Sequence, residues 1–330
     1  MTERKKYLDV MKFIGICCLF LAHVQAPFIL EEIRGFDVPM MVLISGFLAM
    51  YSIERAASIK QYIKKRIKRL VFPTWIFLAI FYVAMLLVGQ KPQLLEIIKS
   101  YFFQRDCGLA GGVWIIWVYL ICAICAPFLY KYISNRYFLP VAFTVLVIYE
   151  FVIGMVPTLS NFRVFYYTVC TAVPYGVLLS LGMVISQMNC KKRWMMCGCI
   201  FFIHIILAVF YFISQGGYLS ISQFKYPARI YYLTYGFSVT IVLMEILRSV
   251  EKRIPDIKII RFVSEHSLWI YLWQIMMLTI VNYVLKISDF WFLSWLFLMI
   301  GSIGVTWIQN LTVNYFMKKN NWALWKYFKG

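Results

Sequence analysis

Ten apolar runs of roughly membrane-spanning length, separated by short polar segments, constrain this chain more than any other feature. They cover residues 8–25, 36–53, 71–89, 113–131, 138–156, 169–187, 195–213, 230–248, 267–286 and 291–316. About 20 apolar residues in a helix cross the hydrocarbon layer of a bilayer. Backbone groups there must be satisfied internally, which leaves helices or closed barrels. Hydrophobic residues make up 62% of the chain and charged ones 14%, a balance that would leave much apolar surface exposed in a water-soluble domain. Pro39, Pro73, Pro127, Pro140 and Pro157 mark run edges, where a missing N–H is tolerated. Pro174 alone lies well inside a run and predicts a kink there. The expected fold is all-α: a polytopic membrane protein of about ten transmembrane helices over 1–330, with no internal repeat and no separate soluble domain.

A net charge of +19 raises the question of nucleic acid, and the distribution of that charge answers it. Every second connecting segment is basic, so that 25 of the 33 Lys and Arg fall on one side. The other side holds Arg34, Lys91, Lys99, Arg105, Arg163, Lys225, Arg229 and Lys286. This alternation satisfies the positive-inside rule and places both termini in the cytoplasm. The basicity is topological, so nucleic acid is not an expected partner and the lipid bilayer is. Asp9 and Lys12 interrupt the first run, and "AHVQAP" is a poor cleavage site, so that run is expected to be retained rather than removed as a signal peptide. The nine cysteines form no CxxC or Cys/His pattern, so neither a metal nor a disulfide framework is expected. No Gly-rich phosphate loop, GxSxG or HExxH occurs.

Ionisable groups inside such runs are the informative residues, because each costs several kcal/mol unless paired or hydrated. His23 closes the first run in "CCLFLAHVQAP". It is either an interfacial histidine facing headgroups or a general base, since imidazole titrates near neutral pH. Lys12 lies eleven residues earlier, on the same helical face but about 16 Å away. Asp9 is close enough to pair with Lys12. Glu150, in "VLVIYEFVIGM", falls at a depth similar to His23 and must be protonated or paired. His204 is expected to be a hydrogen-bonded core histidine. Glu245 and His266 are expected to be solvated or paired with Arg248 and Arg261.

The third run is preceded by "QYIKKRIKRLVFPTW", with five cations in eight residues and no carboxylate between Glu54 and Glu96. If 58–70 is helical, Arg66 and Arg69 share a face, and Lys65 and Lys68 form a neighbouring row. Anionic lipid would account for the lysines. Two guanidinium forks at that spacing also suit a multidentate grip on phosphate, at the mouth a cytosolic phosphorylated ligand would reach. Both readings stand on the residues alone.

In order along the chain, "YLDVMKFIGICCLFLAH", "FDVPMMVLISGFLAM", "RIKR", "GGVWIIWVYL" and "SLWIYLWQ" resemble the motifs of the acyltransferase-3 family of integral membrane acyltransferases, nearest its fucose 4-O-acetylase-like branch. The resemblance implies that His23 is the catalytic histidine, with Glu150 as a functional carboxylate. It also implies that Arg66 and Arg69 serve acyl-CoA, and that Asp9 and Lys12 are the first-span charges. Trp114, Trp117 and Tyr271 are candidates for lining a substrate tunnel; interfacial or packing roles suit them equally. One departure is that Gln274 stands where the family usually has His, and an amide does no acid–base work. The extracytoplasmic hydrolase-type domain of some members has no counterpart in these residues, so the acyl group passes to the acceptor directly or through another protein.

The implied activity moves an acetyl or other acyl group from cytosolic acyl-CoA, acetyl-CoA in the first instance, to a hydroxyl of a surface or lipid-linked polysaccharide, in a bacterial inner membrane. Two other classes compete with it. One is a transporter or exporter of a glycan or lipid-linked intermediate, with His23 and Glu150 as a proton relay. The other is a structural or regulatory subunit of a polysaccharide assembly.

Overall fold

The computed structural model describes residues 4–319 and 325–329. Among them no β-strand forms. The long helices are α1 (Lys6–Leu21), α3 (Asp37–Glu54), α4 (Ile59–Leu87), α6 (Trp114–Tyr130), α7 (Phe138–Met155), α8 (Arg163–Gln187), α9 (Cys190–Gln215), α10 (Ile230–Ser249), α12 (Ser267–Thr279) and α13 (Trp291–Lys319). Shorter helices connect them: α2 (Phe28–Ile33), α5 (Leu94–Tyr101), α11 (Lys258–Glu265) and α14 (Trp325–Lys329). Among the described residues, nine helical stretches are long and apolar enough to cross a membrane. This is an all-α polytopic membrane protein.

The helices follow the apolar runs with three informative differences. The run over 8–25 becomes a 16-residue helix, α1. It stops at Leu21 in a turn where the His23 N–H donates to the Phe20 carbonyl at 3.1 Å. Pro27 follows, and the residue before it, Ala26, is driven out of the helical region. In contrast, α4 begins at Ile59 and α8 at Arg163, well ahead of their apolar runs. In α4, lysine and arginine stems are apolar enough to continue a helix while the charged heads reach water.

The chain groups into two compact units. The first comprises Met1–Met11, Phe28–Tyr62 and Ile121–Pro255; the second comprises Lys12–Pro27, Ile63–Leu120 and Asp256–Gly330. Two-thirds (67%) of the apolar window is buried in each of Phe28–Glu54, α8 and α10, against 17% in α7 and 11% in α9. The core of the first unit is therefore α3, α8 and α10, while α7 and α9 present apolar side chains outward, as lipid contact requires.

Helix packing in lipid relies on small residues that let backbones approach. At Gly46 an added Cβ would come within 2.0 Å of the Leu179 carbonyl oxygen, and at Gly182 within 2.2 Å of the Leu43 oxygen. At Gly236 it would meet Pro39 Cβ at 2.3 Å. Backbone oxygens cannot yield as flexible side-chain tips do. Gly46→Ala and Gly182→Ala should therefore force α3 and α8 apart and cost about 1–3 kcal/mol or more. Gly198→Ala, on a face of α9 with nothing within 4 Å, should be neutral or gain up to about 1 kcal/mol from helix propensity. Thermal unfolding of the three variants in detergent checks the contrast.

In the second unit, α12 packs antiparallel to α13. Trp273 Nε1 donates to Gln309 Oε1 at 2.6 Å, and the Gln309 amide donates to the Phe328 carbonyl at 2.7 Å. Trp269 Nε1 donates to the Tyr327 carbonyl at 3.1 Å, which fastens α14 to α12. On α4, Phe77 meets Trp273 edge-on, with ring centres 5.8 Å apart. Tyr82 donates to Ser100 Oγ at 2.9 Å, securing α5. The indole of Trp295 on α13 donates to the Cys17 carbonyl at 3.0 Å, which places α1 from Lys12 onward in this unit.

Candidate active site

The second unit collects Lys12, His23, Arg66, Arg69, Trp114, Trp117 and Tyr271; Asp9 and Glu150 belong to the first. His23 is half-buried in the turn that ends α1.

Helix α4 runs unbroken through the basic cluster. Arg66 and Arg69 therefore project from one face one turn apart, within electrostatic reach of each other. Arg66 is half-buried and Arg69 exposed. Phe72, three residues further on, stacks on Tyr327 of α14 with centres 5.0 Å apart. The arginine face thus lies about one turn before the point where α4 meets α14.

Deeper in the same unit, Tyr271 is buried and donates to the Gly112 carbonyl, in the 3₁₀ turn Gly108–Val113 just before Trp114. An added Cβ on Gly112 would stand 3.2 Å from Ile275 and 3.3 Å from the Tyr271 hydroxyl. Trp114 and Trp117 are half-buried. Gln274 is completely buried, and neither its amide nitrogen nor its amide oxygen has a hydrogen-bond partner.

The partners of these charges come from the fold: Asp9, which the sequence set beside Lys12, takes Arg4, and His266, expected to be solvated or paired with an arginine, is buried against the Phe262 carbonyl. Asp9 accepts from Arg4 Nε at 2.6 Å. Glu150 accepts from Arg229 at 2.7 Å through one oxygen and from the Ile230 N–H at 3.0 Å through the other, which ties α7 to the start of α10. Glu245 is held by Arg193 at 2.5 Å, both side chains buried, with Arg248 at 3.9 Å. His204 lies 3.2 Å from Thr234 Oγ1 and stacks on Tyr231, as a hydrogen-bonded core histidine. His266 Nδ1 contacts the Phe262 carbonyl at 3.0 Å.

A family profile described as an acyltransferase domain matches residues 5–310. The chain belongs to the acyltransferase-3 family. It is a multi-pass membrane acyltransferase. The match takes in all nine candidate site residues, from Asp9 to Tyr271. No curated protein and no solved structure matches this acyltransferase.

One polar group of this acyltransferase was not singled out from its sequence. In the first unit, Asp37 is buried between Arg34, at 3.3 Å, and Lys225, at 3.6 Å. The signal was present: Arg34 and Lys225 are two of the eight cations on the sparser side of the alternating charge pattern. Nearby, Glu32 accepts from the hydroxyls of Tyr218 and Ser220 and from the Ile221 N–H at 3.0 Å. Burial, then the bond to Glu32, pushes the Tyr218 hydroxyl well above its ordinary pKa.

Proposed function

We propose that this acyltransferase moves an acetyl group from cytosolic acetyl-CoA to a hydroxyl of a surface or lipid-linked polysaccharide. The observation that carries the reading is the arginine pair of α4 within a chain of the acyltransferase-3 family, in the same unit as His23. Arg66 and Arg69 grip the CoA phosphates from the cytoplasmic side, and the pantetheine arm leads the thioester inward. His23 takes the proton from the acceptor hydroxyl as its oxygen bonds to the thioester carbonyl carbon. The carbon–sulfur bond then breaks, and the leaving thiolate takes the proton back from the imidazolium. Lys12 supports the first helix, and Trp114, Trp117 and Tyr271 line the route of the arm. Glu150, with both oxygens engaged by Arg229 and Ile230, holds α7 to α10. Asp9 anchors the start of α1 through Arg4.

Purified protein given labelled acetyl-CoA and envelope glycan should transfer label. Movement of glycan across vesicles without any acyl donor would favour a transporter instead. The arginines are tested by Arg66→Lys/Arg69→Lys. This variant keeps the charge, so a purely lipid-anchoring role predicts unchanged CoA binding. Loss of two guanidinium forks predicts binding weaker by about 10–100-fold, read by titration calorimetry.

A further inference from the structure

The connection from α4 to α6 turns back into the second unit. Helix α5 folds down along α4: Tyr82 donates to Ser100 Oγ at 2.9 Å, and the Trp75 indole donates to the Tyr101 carbonyl at 3.0 Å. Trp75 stands twelve residues before Leu87, where α4 ends, which is about 18 Å along the helix axis. The chain beyond α5 stays near that level. Tyr271, in the second turn of α12, holds the Gly112 carbonyl, and Phe77 meets Trp273 to join α4 and α12 at the same height. An added Cβ on Gly111 would lie 2.8 Å from the Arg105 carbonyl oxygen, so Arg105 sits beside this point. Residues 94–113 thus re-enter the second unit between α4 and α12.

The side chains of this segment divide by polarity. Leu94, Leu95, Ile98 and Phe102 form one exposed stripe, suited to lipid. Glu96 and Lys99 stand on the opposite side of the helix and are half-buried. Beyond it, Arg105 and Asp106 are exposed, although the backbone beside them is held at the level of Trp75 and Tyr271. Irregular backbone and charged side chains at membrane depth are excluded from hydrocarbon; they occur where protein or a water-filled cavity surrounds them. Exposure rules out complete enclosure by protein, which leaves water. By the positive-inside rule, the connection that carries Lys91, Lys99 and Arg105 opens away from the cytoplasm.

We propose that a water-filled entrance, lined by Glu96, Lys99, Arg105 and Asp106, runs from the non-cytoplasmic surface down the polar side of α5, and that the hydroxyl-bearing acceptor enters through it. Lipid excludes a polar, hydrated saccharide, and this segment gives it a hydrated way toward the middle of the membrane. Calling the entrance the acceptor's route rests on the acyltransferase reading; its hydration does not. The first test therefore uses neither acyl donor nor glycan.

Asp106→Cys, Leu95→Cys and Lys60→Cys are made in the full chain and treated in intact cells with the membrane-impermeant 2-(trimethylammonium)ethyl methanethiosulfonate. Mass spectrometry reads modification, and wild type corrects for the native cysteines. Asp106→Cys should react about tenfold faster or more than Leu95→Cys, because a thiol facing lipid stays protonated and unreactive. Lys60→Cys, exposed in the first turn of α4, should react only after the membrane is permeabilised. The entrance is overturned if Asp106→Cys is inert or needs permeabilisation, and re-entry is overturned if Leu95→Cys reacts as fast. A bulky impermeant maleimide attached to Asp106→Cys should then abolish most label transfer to glycan, relative to the same variant unmodified, while CoA binding is retained. Undiminished transfer overturns the route. A wild type that transfers no label overturns the acyltransferase reading and leaves the labelled entrance standing.

Discussion

His23→Ala is expected to lower acyl transfer by about 10²–10⁴-fold, the range a positioned general base contributes, while CoA binding is retained. The two readouts separate because the arginines of α4 and the histidine closing α1 do different work. The first recognise phosphate in the ground state; the second acts when the hydroxyl proton leaves. A variant that lost binding and transfer equally would point to a structural defect in α1, and undiminished transfer would remove His23 from the chemistry. Unfolding measured in parallel guards against the former. The helix should tolerate the change, since His23 lies in the turn beyond Leu21, where its backbone N–H donates to the Phe20 carbonyl. Alanine keeps that N–H.

The other large effect concerns stability. Arg193 and Glu245 are both buried, joined at 2.5 Å, with a second contact at 3.3 Å, and Arg193 also donates to the Met188 carbonyl. Glu245→Ala leaves a buried guanidinium without its counter-charge and should cost about 3–5 kcal/mol. Replacing both partners, as in Arg193→Met/Glu245→Leu, removes the charge and its desolvation together and should restore most of that loss. The expected signature is a double variant more stable than the single one, measured as unfolding temperature in detergent. If single and double variants lose stability equally, the residues act through packing and not as a pair. This pair joins α9 to α10, and much of the rest of α9 is turned outward, so the ion pair is a principal fastening of that helix.

Much of the fold was legible in the sequence because membrane insertion depends on composition and length, both local properties. The runs at 138–156, 230–248 and 267–286 match helical stretches to within a residue. Errors fell where hydropathy stops being the deciding quantity. The start of α4 lies ahead of its apolar run because lysine and arginine stems support a helix. The arginine pair and the terminal histidine were equally legible, since residue type and helical spacing alone make them candidates. Gln274 could be marked as a departure from the family's pattern, but its complete burial without a partner could not.

The sequence by itself determined that this is a multi-helix membrane protein of the acyltransferase-3 family, with its cations unevenly divided between the two sides. Only the tertiary structure decided which charge meets which. Asp9 takes Arg4, Glu150 takes Arg229, Glu245 takes Arg193, and Asp37 draws Arg34 and distant Lys225 together. An apolar run states how far a helix extends through lipid and nothing about its neighbours. The partner of a buried charge is set by whichever helix crosses at that depth.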